Sequence, residues 1–315
     1  MATVALLGDD MTEGNGAVHI SDVRIDADSC VLAGTYAEAA EPVAAALLIV
    51  GSGRTDRNSD VRLPGGQKLR GGITRAIADA LGPAGVSTLR FDKRGVGASG
   101  GDYLSTGMAQ RYADVCQARE WLAGKTAGLP LLAVGHSEGT YYAAQLAADG
   151  QAAGIVLLSG AARTGADVLT YQVAELADRI PAAAKLILRL MRTDVVRAQR
   201  KNLAKILAST TDVIRAQGIR MNAKWTRDFV AHDPAPVLAI TGGHDLQVPP
   251  SDVEAMGKLV HGSFEGHVVA DLSHLLRPDP DSIGPRGYRR QARQPVSPEV
   301  LRLVTDWVTR HWGTP

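Results

Sequence analysis

The segment Leu131-Leu132-Ala133-Val134-Gly135-His136-Ser137-Glu138-Gly139 carries the clearest structural signal in this 315-residue chain. It begins as an apolar run of strand length and leads directly into a helical pattern over 139–148. The glycines of the Gly-x-Ser-x-Gly unit allow a sharp turn between strand and helix, so that the Ser137 hydroxyl stands clear of the backbone. The pattern therefore predicts that Ser137 is a nucleophile, and the alternative is a serine that caps the following helix.

Strand-like and helix-like segments alternate on both sides of this turn. The apolar runs that predict buried strands are Val43–Val50, Val86–Phe91, Pro130–Val134, Ile155–Leu158 and Val237–Ile240. The helical patterns cover Leu69–Leu81, Met108–Leu122, Gly139–Ala148 and Pro298–Trp312. Such alternation predicts an α/β fold with a mostly parallel central sheet and helices on both faces. Polar and apolar residues alternate over about 18–37, which predicts an antiparallel hairpin at the sheet edge.

Residues 163–233 break this rhythm with helical patterns and no convincing strand. The patterns cover Val168–Ile180, Ala184–Arg192, Asp194–Leu207 and Asp212–Ala223. Such an insertion predicts a helical cap over the carboxyl edge of the sheet, with a core formed by 1–162 and 234–315. The insertion carries 13 Lys+Arg against 7 Asp+Glu, whereas the whole chain has a net charge of +1. This excess is either the solvated face of the cap helices or a surface that steers anionic substrates.

Composition excludes several classes of protein. With 34 Lys+Arg against 33 Asp+Glu, the chain lacks the basic excess that is typical of nucleic-acid-binding proteins. Two cysteines, Cys30 and Cys116, build neither a disulfide framework nor a thiolate zinc site, and the second is expected in the core. No early apolar run approaches the roughly 20 residues of a membrane-spanning helix, and no signal-peptide pattern is present. We therefore expect a cytoplasmic protein without an integral membrane segment.

The turn around Ser137 resembles that of the α/β-hydrolase superfamily, and within it the bacterial serine esterases related to dienelactone hydrolases and prolyl-oligopeptidase-like enzymes. The resemblance covers roughly residue 32 to the C-terminus. In that family the acid follows a late strand and the histidine lies on a later loop. The segment Thr241–Pro249 matches the family's Gly-x-x-Asp-x-x-Val-Pro loop, which implies Asp245 as the acid. His274 follows the strand-like segment 266–270, and the resemblance implies that it is the base.

The resemblance also implies an oxyanion hole, because a tetrahedral intermediate needs two hydrogen-bond donors. The first is the backbone N–H of Glu138, which follows the nucleophile. The second is expected from Gly51-Ser52-Gly53, which matches the family's His-Gly-x-Gly position, with Ser52 as the donor and Gly53 as the alternative. This sequence departs from the pattern at Val50, where many relatives carry histidine, so the loop lacks one of its usual anchors.

Several neighbouring residues have a structural interpretation. Asp92–Ser99 resembles the family's Asp-x-Arg-Gly-x-Gly-x-Ser segment, and Asp92 and Arg94 are expected to tie loops together beneath the site. His136 and His244 adjoin the proposed catalytic residues and are expected to pack or to line the pocket. No Gly-Lys-Ser/Thr phosphate loop and no zincin spacing occur, so we expect no cofactor and no metal.

These features predict a serine hydrolase that cleaves small-molecule carboxylic esters, with short to medium acyl chains, through an acyl-enzyme. A thioesterase, an acyltransferase or a small peptidase would use the same Ser137, His274 and Asp245, and these activities remain alternatives. A non-catalytic receptor on the same fold is a further alternative. Haloalkane dehalogenases and dienelactone hydrolases proper are disfavoured, since their nucleophiles are Asp and Cys.

Overall fold

The computed structural model describes residues 18–62, 66–179, 201, 204–205, 213–216, 219–222, 235–282 and 287–313. Its strands are β1 (His19–Ala27), β2 (Cys30–Glu38), β3 (Ala44–Ile49), β4 (Val61–Arg62), β5 (Lys68–Leu69), β6 (Val86–Phe91), β7 (Leu131–His136), β8 (Gly154–Leu158), β9 (Val213–Ala216), β10 (Ile219–Asn222), β11 (Val237–Gly242) and β12 (Phe264–Val269). Its α-helices are α1 (Ile73–Leu81), α2 (Met108–Lys125), α3 (Gly139–Ala148), α4 (Gly165–Asp178), α5 (Asp252–Leu259), α6 (Tyr288–Gln291) and α7 (Pro298–Trp312).

Eight strands form one central sheet in the order β1-β2-β6-β3-β7-β8-β11-β12. The pairs from β6 to β12 are all parallel, whereas β1 pairs antiparallel with β2 and β2 pairs antiparallel with β6. The antiparallel hairpin therefore lies at one edge, and the mostly parallel sheet predicted from the apolar runs is confirmed. Because carboxyl ends of parallel strands share one edge, the loops after β3, β7 and β11 meet there.

The sheet is covered by helices on both faces, and each face has its own apolar core. The alternation is plain in β3, where Ala45, Leu47 and Ile49 join the core under α2, α3 and α5. Ala44, Ala46 and Leu48 point the other way, into the core under α1 and α7. All six residues of β3 are buried, as expected for a strand with a packed layer on either side. Within the described residues, no helix has the length and hydropathy needed to cross a membrane.

Two predicted helices differ from the structure. The predicted helix over 212–223 is wrong, because β9 and β10 form an antiparallel hairpin there, with Ala216 paired to Ile219. The β-branched residues of this segment favour a strand, and only two residues separate the paired positions. The helix expected from Leu69 begins four residues later, because Leu69 pairs with Val61 in the short β4–β5 ladder. Helix α4 agrees with the predicted Val168–Ile180, whereas 184–192 and most of 194–207 lie outside the described residues.

Candidate active site

Ser137 occupies the tight turn between β7 and α3. Its φ of 54° is in the left-handed region, which a non-glycine residue rarely adopts and which carries strain. The turn needs both of its glycines, because a Cβ at Gly135 would lie 2.4 Å from the carbonyl oxygen of Gly139. A Cβ at Gly139 would lie 2.3 Å from the carbonyl oxygen of Ile49 in β3. The predicted geometry of the turn is thus present, with Ser137 at the carboxyl edge of the sheet.

Asp245 and His274, which come from different loops, are hydrogen-bonded to each other. The Asp245 carboxylate accepts the His274 Nδ1–H at 2.8 Å through Oδ2 and at 3.0 Å through Oδ1. Both residues are buried. The backbone amides of Gln247 and Val248 also donate to Oδ1, at 2.8 and 3.0 Å, so the carboxylate is fixed by its own loop. With Nδ1 carrying the proton, Nε2 of a neutral His274 is left as a proton acceptor.

His136 connects the loop of His274 to the turn of Ser137. Its Nε2–H donates to the carbonyl oxygen of His274 at 3.0 Å, and the two imidazole rings lie 5.1 Å apart between centroids. Burial, together with the charge of His274, lowers the pKa of His136 to about 3. The His136 ring is therefore neutral near neutral pH. The His136 ring packs as expected. Because His136 directly precedes Ser137, its hydrogen bond holds the main chain of His274 close to the turn of Ser137.

The loop after β3 reaches Ser137 from the other side. A Cβ added to Gly51 would lie only 3.1 Å from the Ser137 Cβ, so glycine permits this approach. Within the described residues, neither the Ser52 amide nor the Glu138 amide donates a hydrogen bond to a protein acceptor. The structure thus brings both predicted oxyanion donors to the pocket that Ser137 lines. Gly53, the alternative donor, has a φ of 75°.

The Glu138 side chain forms a buried ion pair with Arg111. Its carboxylate accepts a hydrogen bond from Arg111 at 3.1 Å and one from the Tyr142 hydroxyl at 3.3 Å. Arg111 is itself placed over the Tyr103 ring, 4.4 Å from its centroid. Burial raises the pKa of Tyr142 well above its usual value, and the Glu138 charge raises it further. The Glu138 carboxylate is therefore engaged by Arg111 and Tyr142.

A cavity of about 180 Å³ adjoins Ser137. Its apolar wall is formed by Tyr141, Ala161, Val168, Leu169 and Val248. The polar residues Gln172, Gln247 and Ser52 also line it.

Helix α4 forms part of this wall and is held to the loop of Asp245. The Tyr171 hydroxyl donates to the Asp245 carbonyl at 3.2 Å, and Gln172 Nε2 donates to the Gln247 carbonyl at 3.1 Å. Where the chain leaves the core, Arg163 forms an ion pair with buried Asp252. The start of the predicted cap is thereby anchored beside the site.

The neighbouring polar residues have structural partners, as expected. Asp92 accepts hydrogen bonds from Arg57 and from the Ala98 amide, so it ties two loops together. Arg94 forms a buried ion pair with Asp114, both side chains being under 10% exposed. His244 hydrogen-bonds through Nδ1 to the Asp279 carbonyl at 2.8 Å. Cys116, predicted in the core, is only partly buried at the edge of one core.

In the described part of the chain, no group of three or more His, Cys, Asp or Glu residues is arranged to hold a metal ion. Sequence reasoning missed Lys93, which binds the main chain of the Ser52 loop, and Tyr103 and Arg111, which pack beside Lys93 and Glu138. The available signal was weak: Lys93 follows a buried strand at the carboxyl edge of the sheet, where a charged residue needs a partner.

A family model described as serine aminopeptidase, S33, matches residues 65–281, which is more than half of the chain. The chain belongs to this family. This family member is also similar to esterase EstD of Thermotoga maritima, with 23% identity over 291 residues. The alignment covers 88% of the chain and 64% of the esterase, so the chain spans less than two thirds of that relative's length.

Solved structures of two esterases share the fold. Esterase Pf2001 of Pyrococcus furiosus is 16% identical with a TM-score of 0.57, over 94% of this family member and 92% of the esterase. Est1E of Butyrivibrio proteoclasticus, solved with ferulic acid bound, is 17% identical with a TM-score of 0.57, over 92% and 97% of the two chains. At these identities the likeness shows the fold, which is that of the α/β hydrolases.

Proposed function

We propose that this protein is a serine hydrolase that cleaves carboxylic esters through an acyl-enzyme, with Ser137 as nucleophile, His274 as base and Asp245 as acid. The proposal rests above all on the buried hydrogen bond between Asp245 and His274 Nδ1, beside a strained serine that lines a pocket. A serine hydroxyl is a poor nucleophile near neutral pH until a base removes its proton, and this pair supplies an oriented base.

In the proposed reaction, Ser137 Oγ attacks the ester carbonyl carbon while His274 Nε2 takes the hydroxyl proton. The carbonyl oxygen becomes an oxyanion that accepts hydrogen bonds from the backbone N–H groups of Glu138 and Ser52. The C–O bond to the alcohol then breaks, and the alcohol leaves with the proton from His274. Water repeats the sequence on the acyl-enzyme and releases the carboxylic acid. Asp245 remains ionised throughout and stabilises the imidazolium.

The pocket favours short to medium, uncharged acyl groups. Its volume of about 180 Å³ is below the roughly 300–1,000 Å³ typical of sites for drug-sized ligands, and its wall is mainly apolar. Contacts of α4 with the loop of Asp245 support the proposal that 163–233 is a cap over this pocket. Two of the basic residues of the insertion, Lys201 and Lys205, are exposed, in line with a solvated face.

An aminopeptidase is the second candidate, because the family description names that activity. Such an enzyme needs a carboxylate or another acceptor to bind the free amine of its peptide substrate. Among the described residues that line the pocket, Glu138 is the only acidic one, and its carboxylate is buried against Arg111. The geometry therefore favours esters. Thioesters and acyl transfer would use the same residues and differ only in the leaving group or acceptor.

The test compares p-nitrophenyl butyrate with aminoacyl p-nitroanilides and adds an organophosphonate that modifies activated serines. We expect ester turnover, little anilide turnover, and one phosphonyl adduct per chain on Ser137, located by mass spectrometry. The Ser137→Ala variant should lose both turnover and the adduct. An adduct on another residue would refute the assignment of Ser137, and a folded protein with neither turnover nor an adduct would favour a non-catalytic receptor.

A further inference from the structure

The loop of Ser52 is anchored by a buried lysine. The Lys93 ammonium donates to the carbonyl oxygens of Gly51 and Gly53, each at 2.6 Å, so it binds the main chain on both sides of Ser52. Lys93 is only 7% exposed. Position 50, where many relatives of the resembled family carry histidine, is valine here and supplies no hydrogen bond from its side chain. Lys93 therefore provides an anchor that the sequence pattern left unassigned.

The charge of Lys93 has no direct carboxylate partner within the described residues. The ammonium lies 5.7 Å from the centroid of the Tyr103 ring, which Arg111 and Arg54 also approach, at 4.4 and 5.2 Å. Glu138 is the nearby carboxylate, and it is bound to Arg111 instead. Burying a cation without an ion pair is costly. The arrangement therefore places the positive charge of Lys93 against the main-chain carbonyls on either side of Ser52.

Peptide geometry links the Lys93 contact to the Ser52 amide. The Gly51 carbonyl and the Ser52 N–H belong to one planar trans peptide group, so they point in opposite directions. Fixing the Gly51 carbonyl on Lys93 thus fixes the direction of the Ser52 N–H. A hydrogen bond from a cation to the carbonyl also polarises the peptide group and strengthens its N–H as a donor.

We propose that Lys93 is a positioning residue for the oxyanion hole, which holds the Ser52 N–H toward the reacting carbonyl and adds positive charge behind it. This inference rests on the proposed hydrolase function. Lys93 touches neither the substrate nor Ser137 and acts through the Gly51 peptide group. Its contribution is therefore expected in the rate of acylation rather than in ground-state binding, because the negative charge develops only as the intermediate forms.

The charge of Lys93 is sensitive to alkaline pH. Burial lowers the pKa of the Lys93 ammonium to about 8, the Glu138 charge acting to raise it and the Arg111 charge to lower it. Above this pH the amine keeps N–H groups but loses the positive charge. The turnover number kcat should therefore fall as pH rises through about 8.

The experiment measures kcat and KM for p-nitrophenyl butyrate from pH 6 to 10 in wild type, Lys93→Met and the control Lys68→Met. Lys68 is a partly exposed lysine whose ammonium pairs with Asp56 and Asp60. We expect Lys93→Met to lower kcat about 10- to 100-fold, with KM changed less than about threefold, and to abolish the alkaline fall. Lys68→Met should keep the wild-type kcat and pH profile.

The outcomes separate this inference from the proposed function. If wild type hydrolyses the ester and Ser137→Ala does not, but Lys93→Met retains wild-type kcat or an unchanged alkaline fall, the inference about Lys93 is wrong. If wild type shows no ester turnover at all, the proposed function fails first. Should Lys93→Met not fold, Lys93→Gln takes its place, since it keeps N–H donors without the charge, and wild-type kcat in that variant would contradict the proposed role.

Discussion

Replacing Asp245 by asparagine tests the proposed acid while preserving most of its contacts. Oδ1 accepts the backbone amides of Gln247 and Val248 at 2.8 and 3.0 Å, so the asparagine oxygen must take that position to keep both hydrogen bonds. The new NH₂ group then replaces Oδ2, the atom 2.8 Å from His274 Nδ1. The shorter contact would then bring two donors face to face, which favours the His274 tautomer with its proton on Nε2, and only the longer contact of Nδ1 with Oδ1, at 3.0 Å, opposes this change.

That tautomer is the wrong one for catalysis, because a protonated Nε2 cannot accept the proton of Ser137. The same substitution in the serine-protease triad lowers kcat about 10⁴-fold, and we expect a loss of about this size for Asp245→Asn. It corresponds to about 5.5 kcal/mol of lost transition-state stabilisation. Ser137→Ala removes the nucleophile itself and should cost more, up to about 10⁶-fold.

The assay is kcat on a chromogenic ester, combined with the thermal midpoint of unfolding. Asp245→Asn should unfold within about 3 °C of wild type, because both backbone hydrogen bonds to the side-chain oxygen survive. Asp271→Asn is the matched control, since its exposed carboxylate lies in the same loop as His274, and it should leave kcat unchanged. Retention of more than a tenth of wild-type kcat by Asp245→Asn would refute the tautomer reasoning and the assignment of Asp245.

The packing around the turn at Ser137 gives two predictions of stability. Gly139→Ala places a Cβ 2.3 Å from a backbone oxygen of β3 and should lower the free energy of unfolding by about 1–3 kcal/mol. Gly124→Ala is the control, because its Cβ meets nothing within 4 Å, and it should be neutral or stabilising. Equal midpoints of urea unfolding for the two variants would contradict this prediction. Arg111→Met leaves the buried Glu138 carboxylate without its ion-pair partner and should lower the free energy of unfolding by about 3–5 kcal/mol. Arg302→Met removes an exposed ion pair and should lower it by at most about 0.5 kcal/mol. Similar urea unfolding curves for the two variants would contradict the larger value for the buried pair.

The sheet was predictable from sequence because a doubly covered parallel strand leaves an uninterrupted apolar run. All six residues of β6 are buried, and its observed bounds, Val86–Phe91, coincide with the predicted run. The β9–β10 hairpin was missed for the converse reason. Four-residue strands offer too few positions to distinguish a period of 2 from one of 3.6, and a segment that follows three helical patterns suggests more helix.

The candidate site also contains residues that the sequence predicts and one that it does not. Ser137, Asp245 and His274 lie in local motifs, so sequence alone proposed them, and the structure brings Asp245 and His274 into direct contact. Lys93 lies in the Asp92–Ser99 segment, but at a position that the family pattern leaves unspecified, so the motif gives it no role. Its partners are main-chain carbonyls 40 and 42 positions earlier, and a carbonyl is common to every residue, so no residue type marks the contact. Such contacts follow only from the path of the chain.

The position of the insertion between β8 and β11 bears on how proteins with this fold can acquire different substrate preferences. These strands are parallel neighbours, with Ile155 paired to Val237, so the chain departs from and returns to adjacent points of the sheet. Loop-closure entropy grows only slowly with length, by roughly 0.6 kcal/mol for each doubling. Segments of very different length and sequence can therefore be exchanged at this junction at small thermodynamic cost. Selection on substrate preference can act on one interchangeable segment while the strand ends that carry Ser137 and Asp245 stay fixed.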